Sequence, residues 1–168
     1  MSGQGFAGAT RGVPGNSNVA GGGAGGGAGG PAFSADGTNN RDGMSGGPGL
    51  VSSIDGLNKE RAGGGGGVGG RDPGTATGGG GSPSSGTSKT APESCYGEAN
   101  TGGGAASYYC TKTGATSSGI SNAPGGSGLV VVRYFGPQVC FGGEVTTHDG
   151  YTVHTFKSDG IFTVGSLT

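Results

Sequence analysis

The chain contains no tryptophan, and only 11% of its residues are charged. Only 29% are of the apolar types that build ordinary cores. Each absence removes a class of explanation. Ordering a backbone costs about 1–2 kcal/mol per residue, and little apolar mass is present to offset that cost by side-chain burial. The longest apolar run, residues 129–132, is far too short to cross a bilayer, so no membrane insertion is expected. The N-terminus has no basic segment leading into an apolar stretch, so no signal peptide is read there. Nine Lys and Arg stand against ten Asp and Glu, and no basic patch is evident, which argues against a nucleic-acid partner.

Catalytic and cofactor signatures are equally thin. Glycine is so dense that GxGxxG patterns arise by chance, and no GxxxxGK[ST] is present. Serine is abundant but never stands in GxSxG. The two histidines, His148 and His154, have no cysteine or carboxylate at metal-ligand spacing, and Asp149 and Asp159 sit in Asp-Gly turns, where such side chains bond their own backbone. A structural or surface role is expected for both histidines. The sequence therefore reads as that of a protein that is not an enzyme and takes no cofactor or metal.

What the chain does have is glycine, 47 residues of 168. Glycine loses the most freedom on folding and buries no side chain. Composition alone would place the chain among low-complexity, disordered sequences. Any order in such tracts must come from the backbone, whose N–H and C=O groups would pair with neighbouring segments.

The chain divides near Pro124 into a glycine-rich region, 1–124, and a β-strand module, 125–168. Nearly pure Gly/Ala runs occupy 21–30, 62–70, 78–81 and 102–104, and segments 31–44, 50–61 and 82–100 between them carry most charges, Asn, Ser and Pro of this half. Glycine does not recur strictly at every third residue, and only eight prolines are present, so a collagen triple helix is excluded. The expected fold is mostly irregular/β: a polyglycine-II helix bundle, closed by a small antiparallel β-module, with essentially no α-helix. Polyglycine-II helices have three residues per turn and a rise of about 3.1 Å, and without Cβ atoms they can lie close enough to bond one another.

In the second region, 129–135 (LVVVRYF) reads as a buried strand between Pro124-Gly125-Gly126 and Gly136-Pro137. Strands at 144–147, 151–156 and 161–164 are separated by Asp149-Gly150 and Asp159-Gly160, both hairpin signals, giving a three-stranded meander plus the 129–135 strand. Along 151–156, Tyr151, Val153 and Thr155 should face one way and Thr152, His154 and Phe156 the other.

Loops 31–45, 50–61 and 82–101 are candidates for surface recognition, with Phe33, Asn39, Asn40, Arg41, Lys59, Arg61 and Tyr96 as the side chains with reach. The same loops could equally be solvated caps or contacts to sister subunits. Three cysteines leave at least one unpaired within the chain. Cys95 and Cys110 could bridge a loop, or all three could be free thiols.

GGSGLVVVRYFGP at 125–137, followed by GGEVTTHDGYTVHTFKSDGIFTV at 142–164, resembles the closing motif of the glycine-rich tail-fibre and minor tail proteins of phages. AGGGGG at 62–67, SGGPGLVSSIDG at 45–56 and NTGGGAA at 100–106 are similar to phrases that recur in that family, so the resemblance covers nearly the whole chain. It implies a virion protein, with other virion proteins and a host cell-surface glycan or protein as partners. Related fibre adhesins are built on polyglycine-II bundles. Domains of the family open with a strand after their TFTV-like motif, whereas this chain starts within glycine and ends at GSLT. The resemblance then implies that a neighbouring copy supplies that strand, as a trimer or head-to-tail filament. A self-assembling extracellular filament or matrix protein and a capsid decoration protein remain as alternatives.

Overall fold

The computed structural model describes residues 5–10, 21–33, 42–86, 90–110 and 123–165. Among these there is no α-helix, only one short 3-10 turn at Glu93–Cys95 and nine short strands: β1 (Leu50–Ser52), β2 (Lys59–Arg61), β3 (Ser84–Gly86), β4 (Tyr108–Cys110), β5 (Val130–Phe135), β6 (Cys140–Phe141), β7 (Glu144–His148), β8 (Tyr151–Phe156) and β9 (Thr163–Val164). The fold is mostly irregular with small, chiefly antiparallel β-sheets, as expected from the sequence.

The glycine runs are neither helix nor strand, yet they are held by an array of backbone hydrogen bonds. Gly22, Gly25 and Ala28 donate to the carbonyls of Val68, Gly65 and Ala62, so segments 21–30 and 62–69 run antiparallel with one bond at every third residue. Met44 and Gly47 donate to Gly22 and Gly25 with the same step, and Gly64 and Gly67 donate to Gly47 and Met44. Gly104 and Ser107 donate to Gly63 and Gly66, and Gly74 donates to Gly67. Segment 62–69 is therefore the hub of the array, bonded to 21–30, 43–49, 72–81 and 101–107. Its residues 63–67, all glycine, are buried. In most globular domains such a position holds Leu or Val. Here its place is taken by bare backbone.

Close approach explains why. A Cβ added to Gly63, Gly64, Gly65 or Gly67 would fall closer than 3.0 Å to a backbone carbonyl of Thr77, Gly25, Ala105 or Gly22 respectively. Backbone from three neighbouring segments thus presses on four positions of one segment. The conventional apolar core is small, comprising Ala91, Cys95, Ala106 and Tyr108 with Tyr96 and Ala123 packed against it. It lies beside the parallel pair β3–β4, in which Ser84–Gly86 runs alongside Tyr108–Cys110. Neither Ser-Ser-Gly nor Tyr-Tyr-Cys carries a strand signal long enough to read from sequence.

In the second region β8 lies at the centre of a three-stranded antiparallel sheet, with order β5-β8-β7. The β7–β8 turn is the two-residue Asp149-Gly150 hairpin, joining His148 to its partner Tyr151. Both turn residues have positive φ, 49° and 78°, the combination a type I′ turn requires. The expected continuation of the meander into 161–164 is not found. The Asp159-Gly160 turn does not form a hairpin; β9 is two residues long and pairs with Cys140–Phe141 in a separate ribbon. The reason is topological: β5 and β7 already occupy both edges of β8, so the chain leaving β8 has no edge to join. It crosses the sheet face instead, where Phe162 packs edge-on against His154 with ring centroids 5.2 Å apart.

Candidate functional site: the sheet and its junction with the glycine array

The alternation read along β8 assigns its side chains to two faces, and each face has a distinct neighbour. On the first, Tyr134 is stacked with His154, ring centroids 5.7 Å apart. His154 is fully buried. Its Nδ1 lies 2.7 Å from the Gly142 carbonyl, which can only accept, so Nδ1 carries the proton. Nε2 lies 3.3 Å from the Tyr134 hydroxyl and accepts from it. That hydroxyl oxygen in turn accepts from the N–H groups of Val139 and Cys140, at 3.0 and 3.1 Å. Thr152, also fully buried, donates through Oγ1 to Gly136 at 2.7 Å. Residues 136–142 are thus tied to the sheet by a chain of hydrogen bonds in which both imidazole nitrogens are engaged. This arrangement clamps the β6–β9 ribbon over the sheet.

The second face meets the hairpin of β1 and β2. The Arg133 guanidinium lies 4.5 Å from the Tyr151 ring centroid, and Nη1 donates to the Ser53 carbonyl at 3.4 Å. Phe135 packs edge-on against Tyr151 with ring centroids 5.4 Å apart. Gly56, with φ of 86°, lies against the His148 ring so closely that a Cβ there would come within 2.6 Å of Cδ2. Only glycine meets both demands. Val153, fully buried, sits in the middle of this face.

The sequence-derived recognition residues do not gather into one site. Phe33 is exposed and bridges Ser45 through backbone hydrogen bonding at 3.0 Å. Asn39, Asn40 and Arg41 lie outside the described residues. Lys59 and Arg61 share β2, but their charges are directed differently: Lys59 makes an exposed ion pair with Glu98 at 3.6 Å, whereas Arg61 pairs with Asp55 in a largely buried contact. The Nε of Arg61 is buried without a partner. Tyr96 packs into the small apolar core and donates its hydroxyl to the Ala91 carbonyl at 3.3 Å. Cys95 is free and fully buried, with its Sγ 3.9 Å from the Ser107 carbonyl. Its burial raises the thiol pKa above the ordinary value. Cys140 is also free and buried. The side chain of Cys110, the other half of the bridge weighed from sequence, lies outside the described structure.

Sequence reasoning missed the edges of this sheet. At one end of the edge strand β7, Glu144 is ion-paired with Lys157, which follows β8, at 2.8 Å. The hydrogen bond from Lys157, and then its positive charge, lower the Glu144 pKa. Beside β5 lies an open trough of about 490 Å³, lined by Val130, Val132, Phe156, Asp159 and Phe162. Val130, Phe135 and Ile161 are 60%, 77% and 80% exposed, so apolar surface faces outward along that side. The signal that could have found this was the string of three valines, which reads equally well as a fully buried strand.

Among the described residues, no three His, Cys, Asp or Glu side chains are grouped to hold a metal ion, and no helix is long and apolar enough to cross a membrane. No protein-family description matches the sequence, and neither curated proteins nor solved structures give a significant match.

Proposed function

We propose that this chain is a structural virion protein of a phage tail or fibre, built on a polyglycine-II bundle and without catalytic activity. The observation that carries the reading is the all-glycine hub, residues 63–67, buried among bare backbone and bonded to its neighbours at every third residue. A three-residue step is the period of polyglycine II, in which donors separated by one turn address the same neighbour. A strand ladder would repeat at every second residue. The glycines of segments 21–30, 43–49 and 62–69 have no positive φ, which is compatible with that helix.

Such a scaffold offers stiffness and loop display rather than chemistry. Its connections carry the polar and charged residues, and recognition on a rigid frame is usually done by loops. The assignment to a virion rests on the resemblance of 125–137 and 142–164 to the closing motif of phage tail proteins. Attachment to a host-surface glycan or protein through the array's loops, and assembly with further copies of the chain, complete the proposal.

Two experiments test it. An amide vibrational spectrum of the purified protein should show the polyglycine-II pattern alongside a smaller β-sheet component; a spectrum dominated by sheet or coil contradicts the bundle. Gold-labelled antibody against the purified chain should decorate the tails of virions that encode it. Label on the capsid would make it a decoration protein, and virions that stay unlabelled would overturn the reading.

A further inference from the structure

The two edges of the three-stranded sheet differ in a way that bears on assembly. Natural sheets protect open edges with charge, proline, bulges or a covering segment. The β7 edge follows this rule, with Glu144 and Lys157 paired at one end and His148 beside Asp149 at the other. The β5 edge does not. Val130–Phe135 is six residues long, contains no proline, and has no strand on its outer side among the described residues. Its single charged residue, Arg133, is turned away from the edge, over Tyr151 and onto the Ser53 carbonyl. The apolar trough lies on the sheet face next to this edge, with Val130 and Val132 of β5 in its lining.

We propose that β5 pairs with β5 of a second copy, antiparallel about a two-fold axis through Val132, to make a continuous six-stranded sheet. The register follows from side-chain direction. A two-fold axis perpendicular to the sheet keeps like faces together, so opposed residues must have the same parity. Centring on Val132 sets Val132 opposite its own copy, Val130 opposite Tyr134, and Val131 opposite Arg133. No like charges then oppose one another, and Val132 and Val130 meet a valine and a tyrosine respectively. The troughs of the two copies merge across the axis, because Val130 and Val132 line each of them. The contact is isologous and closes as a pair. It therefore makes dimeric units, not the trimer that the tail-fibre resemblance alone would allow.

The test is a charge swap at the axis. Sedimentation of the full chain should show a monomer–dimer equilibrium. Val132→Lys and Val132→Glu should each weaken it about tenfold or more, since each places two like charges in direct opposition. Mixing the two variants should restore association, as a mixed pair sets opposite charges across the axis. Far-UV circular dichroism controls for folding. Should position 132 not tolerate charge, Val130→Lys places the charge on a side chain that is already 60% exposed and should weaken the dimer in the same direction. A wild-type chain that stays monomeric at every concentration overturns the proposal. So do folded variants that dimerise like the wild type, or a mixture that fails to recover association. Virion labelling reports on the proposed function separately, so either idea can fail without the other.

Discussion

Gly65 and Gly25 are hydrogen-bonded to each other, Gly25 N to Gly65 O at 3.0 Å, yet alanine should have opposite effects at the two positions. At Gly25 an added Cβ would meet nothing nearer than 3.6 Å, an ordinary contact. Reduced freedom of the unfolded chain then makes Gly25→Ala neutral or stabilising by about 0.4–1 kcal/mol. At Gly65 the Cβ would overlap the Ala105 carbonyl and come within 2.8 Å of Ala106 N. Backbone lies on every side, so no rotamer change relieves the clash. Segments 62–69 and 101–107 must separate by an ångström or more, on the order of the gap between that overlap and a normal contact. Such a shift breaks the Gly104-to-Gly63 and Ser107-to-Gly66 bonds, now 2.9 and 3.1 Å, and strains the Gly25-to-Gly65 bond. Two or three bonds at about 1 kcal/mol each, with overpacking of about 1–3 kcal/mol, put the loss near 3–6 kcal/mol. That is a large share of the 5–15 kcal/mol typical of a folded domain. Urea unfolding followed by tyrosine fluorescence and circular dichroism measures both variants. Equal midpoints, or a Gly65→Ala loss under about 1 kcal/mol, would refute the claim that bare backbone is the packing surface.

Other sites give sharper local readouts. Tyr134→Phe should cost about 1–3 kcal/mol in the same unfolding assay, because it removes the shared acceptor of the Val139 and Cys140 N–H groups and the donor to the buried His154. Cys95, buried and with a raised pKa, should react with an aromatic disulfide reagent only as fast as the array opens. Because its folded pKa exceeds the unfolded one, it contributes stability that is full below the unfolded value of about 9.0 and declines as pH rises past it; Cys95→Ser should flatten that alkaline decline in unfolding measured against pH. Glu144 has the opposite sign: its lowered pKa means that its contribution is present above the unfolded value and lost as pH falls through the folded one, and Glu144→Gln should remove that acid dependence. Arg133→Ala should raise hydrogen exchange in residues 53–57 while leaving β8 protected, since Arg133 joins the sheet to that hairpin.

The sheet was largely legible in the sequence because its signals are local. Asp149-Gly150, between two strands that are neighbours in the sheet, makes the type I′ hairpin its sequence signals, and period-two alternation assigns the faces of Tyr151–Phe156. The role of β9 was not legible, because whether a strand extends a meander depends on which edges are free, and β5 takes the free edge of β8 from a distance of some twenty residues in sequence. The recognition residues fared similarly. Side-chain type marked Arg61 and Tyr96 as having reach, but reach is decided by neighbours. Asp55 lies within Arg61's own hairpin, and Ala91 lies five residues from Tyr96. The partner order of the glycine segments was the least legible feature. A run such as GGGAGGGAGG has no side chains to distinguish one neighbour, or one register, from another.

The lack of side chains in the glycine runs raises the question of how the array attains a single structure. Glycine segments bonded at every third residue could slip by three and make nearly the same bonds, because no side chain is moved to a wrong face. In an ordinary sheet a slip is prevented by the pattern of buried and exposed residues. Here the register must be set where side chains reappear, at the ends of the runs. Glu60 does this most directly. Its Oε1 accepts from Gly49 N at 2.7 Å and from Thr77 Oγ1 at 2.8 Å, so one carboxylate joins the ends of three segments. Thr101 adds a second tie, donating to the Glu98 carbonyl at 2.6 Å and accepting from Gly103 N at 3.1 Å. Arg61, held by Asp55, fixes the hairpin from which segment 62–69 departs. The decorated segments thus have work to do in the fold before any partner is involved: they select one register from several of nearly equal backbone energy. Glycine supplies the packing surface, and the few charged residues beside it determine which packing is formed.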